Sequence, residues 1–218
     1  MSSDEIISRL KAHWMLKVVF GLGLMVMFAL IYHLPQRFPV FPVTAMPTLW
    51  IDRMIPFRPN SIYLYESLSL FMPIAPWLMK TRIEINQYSK GLILMNLVGF
   101  LFFFLYPTSS PRPADLHGAN ALYLQLIRID NELNAFPSLH AAYAVFHGAC
   151  CHVIFRAGVR SILLRLGCWS WALGILVSTL LTKQHVFVDV IAGSLLGLGS
   201  FALFCWPTRI SWLQRKSI

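Results

Sequence analysis

The sequence predicts an all-α polytopic membrane protein, a bundle of six transmembrane helices in a single integral membrane domain over residues 1–218. Three observations carry that expectation. Hydrophobic residues fill 57% of the chain and charged residues only 12%, about half the roughly 25% usual in a soluble domain. The apolar residues fall in six blocks, each near the roughly 20 residues that a bilayer core requires. The basic residues behind the net charge of +9 flank those blocks, a pattern of membrane orientation rather than of nucleic-acid binding.

Taken in order, the first block is 14–34. It follows Asp4 and Glu5 and precedes no small-residue cleavage site, so it reads as a retained span and not a signal peptide. The second, 62–79, holds Glu66, Pro73 and Pro76; prolines are tolerable in a span where neighbouring helices cover the freed backbone groups. The remaining blocks are 92–106, 139–155, 166–181 and 186–206. Residues 35–60 carry six prolines and read as an irregular or re-entrant cap. Residues 107–137 are polar, and almost no loop separates the last two spans. Cys150, Cys151, Cys168 and Cys205 all sit in apolar blocks, with neither a metal-ligand spacing nor a disulfide framework.

Six spans put both termini on one side. That side holds Arg9, Lys11, Lys17, Lys80, Arg82, Lys90, Arg156, Arg160, Arg165, Arg209, Arg215 and Lys216, which is 12 of the 18 basic residues. The other keeps Arg37, Arg53, Arg58, Arg112, Arg128 and Lys183. The positive-inside rule therefore places the termini in the cytoplasm and the stretches after spans one, three and five outside. Trp14, Tyr106 and Trp206 fit an interfacial aromatic belt.

Two polar clusters lie on that outer side, where an ionisable group at membrane depth needs a partner or a task. In the first, His185 and Asp189 are four apart and would share a helical face. A carboxylate that accepts one ring N–H fixes the tautomer and makes the other nitrogen a better nucleophile; the bland alternative is a buried pair that packs the bundle. In the second, Pro137-Ser138-Leu139-His140, proline suits a first helical turn, whose amides and dipole form an anion site. Ser138 adds a donor or simply caps the helix, and His140 can protonate a leaving oxygen. Arg112, between Pro111 and Pro113, offers a planar fork for phosphate. Lys183 offers a second cation or merely snorkels. His13 and His33 read as incidental, His147 and His152 as structural, and His117 as a loop residue able to contact a headgroup. Asp130, Asn131, Glu132 and Asn134 read as capping and solvated residues, with contact to a headgroup as the alternative.

These segments resemble the motifs of the type 2 phosphatidic acid phosphatase superfamily of membrane lipid phosphatases and phosphotransferases. Pro-Ser-x-His stands as Pro137-Ser138-Leu139-His140. His-x-x-x-Asp stands as His185 to Asp189, followed by Ala192-Gly193, and Arg-Pro stands as Arg112-Pro113. The wording Tyr106-Pro107-Thr108 to Pro111-Arg112 looks closest to the branch of inositol phosphorylceramide synthases and their bacterial relatives. Two positions depart: the first-motif lysine is Leu105 here, and the third-motif arginine is Thr179.

The resemblance implies catalysis by His185, oriented by Asp189, through a phosphohistidine. It implies His140 as acid and base, and Arg112 and Ser138, with Lys183 added as our own inference, as the phosphate-binding set. It implies no metal and no cofactor, a lipid phosphate substrate, and a bacterial inner-membrane location with the active site on the extracytoplasmic face. Hydrolysis of a lipid phosphate monoester or diphosphate is the leading expectation, and transfer of a phosphoryl or phospho-head group to a lipid or sugar acceptor is the alternative. Readings from other classes are a transporter with His140, His185 and Asp189 around a metal, and a non-catalytic lipid-binding protein. The residues do not name the lipid.

Overall fold

In lipid, backbone N–H and C=O groups must be paired within the segment, so apolar blocks of this length become helices. The computed structural model describes residues 3–156 and 159–205, and they are mostly helical. The elements are α1 (Ser3–Lys11), α2 (Trp14–Arg37), β1 (Thr44–Ala45), α3 (Trp50–Met54), a 3₁₀ turn (Pro59–Ser61), α4 (Ile62–Glu66), α5 (Leu68–Phe71), α6 (Ile74–Leu78), α7 (Arg82–Leu105), β2 (Thr108–Ser109), α8 (Ala121–Ile129), α9 (Leu139–Ile154), α10 (Val159–Leu181) and α11 (Phe187–Phe204).

Among the described residues four helices are long and apolar enough to cross a membrane: Trp14–Arg37, Arg82–Leu105, Ser161–Leu181 and Phe187–Phe204. Their length and composition mark an integral membrane protein. The other two expected spans differ. Residues 62–79 form not one helix but α4, α5 and α6 in series. Pro73 has no N–H to continue the ladder, and the chain turns again at Ser67, whose hydroxyl bonds back to the Leu64 carbonyl at 2.6 Å. The 139–155 block is a helix of only 16 residues. The third block starts earlier than its hydropathy indicates, because Thr81 and Glu84 form a reciprocal capping box at 3.2 Å each way. The sixth ends at Phe204; Trp206, Arg209, Arg215 and Lys216 lie outside the described residues, as does the Arg160 side chain.

α9 is the axis of the molecule: from Ala141 to Cys151 every residue is buried. It packs chiefly against α11 and α10, with α5, α6 and α7 completing the sleeve. Backbones approach closely where the sequence supplies glycine. A Cβ on Gly193 would stand 2.0 Å from the Ser138 carbonyl oxygen, and one on Gly197 would stand 2.4 Å from that of Ala142. Small residues are how membrane helices come into contact without a hydrophobic driving force. Several buried polar groups in this sleeve are partnered. His147 receives the Tyr88 hydroxyl on Nε2 at 2.8 Å and meets the Tyr143 carbonyl through Nδ1 at 2.7 Å, while the Tyr143 hydroxyl donates to Asn96. His147 is thus fully buried and engaged at both ring nitrogens. All four cysteines are buried.

One end of the bundle is capped by the two polar connections. β1 and β2 pair in parallel, Thr44 with Thr108 and Ala45 with Ser109, and Ser109 also bridges Leu133. The cap is tied to the end of α2 by hydrogen bonds: Asp130 accepts from Tyr32 at 3.2 Å and from Gln36 at 2.6 Å, and Asn134 donates to the Tyr32 carbonyl at 2.8 Å. Asp130 and Asn134 therefore fasten the loop to a helix rather than cap or solvate it. Beneath this cap lie the N-termini of α9 and α11.

Candidate active site

His185 sits in the turn between α10 and α11, and that turn has a definite design. α10 closes in a Schellman motif: Gln184 N–H bonds to the Thr179 carbonyl at 3.1 Å and Lys183 N–H to the Leu180 carbonyl at 3.2 Å. Lys183 occupies the left-handed position, with φ 55°, that glycine usually fills. The Thr179 carbonyl also accepts His185 N–H at 3.3 Å. Thr179 is fully buried, so the position where the motif has an arginine here anchors the turn through its backbone.

Lys183 does not reach the histidines. Its Nζ donates to the carbonyls of Asp52 at 2.7 Å and Ile55 at 2.6 Å. Burial pulls its ammonium below the usual lysine range, and the nearby Asp52 carboxylate acts in the opposite direction. The Asp52 carboxylate in turn accepts Phe187 N–H, the first amide of α11, at 2.7 Å. Lys183 and Asp52 are a strap that clamps α3 over the His185 turn. Two charge-assisted bonds at about 1.5–3 kcal/mol each outweigh the roughly 1–2 kcal/mol that a left-handed side chain costs. Lys183→Gly should therefore lower the midpoint of thermal unfolding in detergent; a rise would mean that turn strain exceeds the strap.

The expected helical pairing of His185 with Asp189 takes another form. α11 begins at Phe187 with Val186 as N-cap, so His185 precedes the helix. Asp189 is the third residue of the helix and folds back, its Oδ2 accepting Val186 N–H at 3.1 Å. This fold-back brings Oδ2 to 3.6 Å from His185 Nδ1. That is ion-pair range, and a contraction of about half an ångström would make it a hydrogen bond. Asp189 is fully buried, and its Oδ1 has no partner among the described residues.

Ser138 is the N-cap of α9, its hydroxyl accepting Ala141 N–H at 3.2 Å. Pro137 lies one residue outside the cap rather than in the first turn. Ser138 N–H donates to the Asp189 carbonyl at 3.1 Å, which locks the two motif segments together through their backbones. His140 is fixed by a residue that sequence reasoning missed. The Tyr65 ring stacks on the imidazole with centroids 3.8 Å apart and planes at 12°, and the Tyr65 carbonyl faces His140 Nε2 at 3.4 Å. His140 and His185 line one cavity.

Arg112 comes from the β2 side of the cap. Its Nη2 donates to the Asn131 carbonyl at 2.9 Å and to Gln184 Oε1 at 3.1 Å. Leu105, at the other departed motif position, is exposed at the end of α7. Glu66 lines the cavity with Asp130, although the sequence flagged it only as an oddity in a span. His117 is exposed in the loop. His33, read as incidental, also lines the cavity.

The cavity holds about 690 Å³. His33, Asp130, Asn134, His140 and His185 stand at one end, and Lys17, Pro76 and Trp77 at the other. Between them the wall is largely apolar, with Phe20, Leu24, Phe28, Met72, Leu92 and Phe103. It follows α2 from Lys17 to His33, about 24 Å at 1.5 Å per residue. Three imidazoles, those of His33, His140 and His185, thus sit at the head of a long apolar groove along a membrane helix. Among the described residues no group of three or more His, Cys, Asp or Glu side chains is placed to hold a metal ion.

Comparison with known proteins agrees with the motif reading at the level of the family. The family model of the PAP2 superfamily matches residues 30–203. No curated protein and no solved structure matches the chain.

Proposed function

The chain belongs to the PAP2 superfamily, whose members are broadly phosphatases and phosphotransferases, and on that premise we propose that it is a membrane phosphatase acting on a lipid phosphate monoester or diphosphate. The observation that carries the reading is the pair His140 and His185 at the head of the apolar groove. A lipid tail fits the groove, and its phosphate then lies against the imidazoles. In this reading six segments traverse the bilayer, the broken 62–78 segment and the short α9 among them. Both termini are cytoplasmic, and the cap with its histidines faces the extracytoplasmic side of a bacterial inner membrane.

In the first step His185 Nε2 attacks phosphorus; a P–N bond forms and the ester P–O bond breaks. His140, protonated, gives its proton to the leaving alkoxide. Asp189, 3.6 Å from Nδ1, stabilises the positive charge that His185 acquires. In the second step His140 takes a proton from water, the oxygen attacks phosphorus, the P–N bond breaks, and inorganic phosphate leaves with His185 neutral. Arg112 holds the equatorial oxygens, and electrostatic help of this kind is worth roughly 10²–10³ in rate per donor. Ser138 and Lys183 contribute through the frame they hold. The chemistry as written calls on no metal.

A second reading has a specific observation in its favour. Positions 105 and 179 supply no cation, and Glu66 and Asp130 stand at the head of the groove. A phosphodiester, with one negative charge, suits that field better than a dianionic monoester. The phosphohistidine would then pass its phosphoryl or phospho-head group to an acceptor hydroxyl. A panel of head-labelled lipid monoesters, diphosphates and diesters separates the two. Free phosphate from monoesters or diphosphates is the expected result; a labelled lipid product from a diester would shift the assignment to transfer.

A further inference from the structure

We propose that Gln184 is the positioning residue for Arg112, through which one guanidinium serves a site whose other motif cations are leucine and threonine. The assignment rests on the reading of Arg112 as a phosphate ligand. Gln184 sits directly before His185, and its backbone is set by the Schellman bond from its N–H to the Thr179 carbonyl at 3.1 Å. The side chain is buried, 6% exposed. Its Oε1 accepts Arg112 Nη2 at 3.1 Å. Arginine has only donors, so the atom that faces it must be the amide oxygen and the orientation of the amide is settled. The amide nitrogen is buried and has no hydrogen-bond partner among the described residues. Tyr123 is fully buried and donates to the Thr182 carbonyl at 3.0 Å.

The result is one fixed support: the backbone turn at the α10 terminus sets Gln184, and Gln184 holds one side of the guanidinium. The Asn131 carbonyl takes the second Nη2 proton at 2.9 Å. Both Nη2 protons are thereby committed, and among the described residues Nε and Nη1 remain to meet an anion. The same turn carries His185, so the phosphate ligand and the nucleophile are referred to a single rigid element. A planar fork gains most when its orientation is set before the ligand arrives.

The test uses the full chain in detergent, with inorganic phosphate as the probe and phosphate-dependent thermal stabilisation as the readout. Gln184→Met removes the acceptor at similar length and should raise the half-saturating phosphate concentration about tenfold, the scale of one hydrogen bond to a charged group. Gln184→Glu keeps an acceptor for Arg112 and should stay within about threefold of the unaltered protein, a rescue that loss of packing alone does not predict. In an Arg112→Met background Gln184→Met should have no further effect on phosphate affinity, as coupled residues are non-additive. Should Gln184→Met not fold, Gln184→Asn, one carbon too short to reach Arg112, carries the same expectation. Unchanged affinity in the folded variant, or additive effects with Arg112→Met, overturns the assignment alone. If phosphate fails to stabilise the unaltered protein, the phosphate-site reading falls with it.

Discussion

His185→Ala is expected to lower phosphate release from lipid phosphates by about 10⁴-fold or more, the scale on which covalent nucleophiles fail when removed. The same variant should insert and unfold like the unaltered protein. The imidazole Nδ1 makes no hydrogen bond among the described residues, and the Asp189 carboxylate keeps its bond to Val186 N–H whether or not the ring is there. Loss of activity with unchanged stability is thus the signature of chemistry rather than of packing. His140→Ala should behave differently. Its proposed task is protonation of the leaving oxygen, worth about 10²–10⁴. An alkyl phosphate should show the whole loss, whereas an aryl phosphate with a good leaving group should show little of it. Full activity in His185→Ala would sink the phosphohistidine reading. Equal losses on both substrates in His140→Ala would remove the acid role from that residue.

What the sequence revealed and what it hid follow from the range of each interaction. The four long helices were legible because hydropathy is a property of contiguous residues. The second and fourth blocks were legible as apolar helical segments but not in form: three short helices and a 16-residue axis satisfy the same composition. The histidines, Asp189 and Arg112 were marked by motif, and the structure gathers them at one end of the bundle. The details of their support were not marked. Tyr65 meets His140 across 75 residues, and Lys183 reaches Asp52 across 131. Neither pairing has a local signal. Lys183 was read as a cation for phosphate because charge is visible in a sequence while its nearest carbonyls are not. Gln184 did have a signal, adjacency to His185 beside two missing cations, although an amide draws less attention than a charge.

Gly193→Ala carries the largest structural effect expected outside the chemistry. The new methyl would stand 2.0 Å from the Ser138 carbonyl oxygen and 2.9 Å from the Ser138 carbonyl carbon, and backbone atoms cannot swing aside as a side chain can. α9 and α11 must separate, and the Ser138 N–H bond to the Asp189 carbonyl lies on that seam. Overpacking of a close helix contact costs about 1–3 kcal/mol and more where backbone is involved. The expected outcome is therefore a fall in the unfolding midpoint together with loss of activity, because His140 rides on α9 and His185 on the turn that leads into α11. Gly197→Ala meets the Ala142 carbonyl oxygen at 2.4 Å and should destabilise, with less effect on activity, since it lies a turn further from the histidines. Gly199→Ala is the control: nothing stands within 4 Å of its added Cβ, and replacing a helical glycine by alanine stabilises by about 1 kcal/mol. Unfolding midpoints and phosphate release for the three variants side by side decide the matter. A Gly193→Ala protein as stable and active as the unaltered one would mean that the α9–α11 seam does not set the distance between the two histidines.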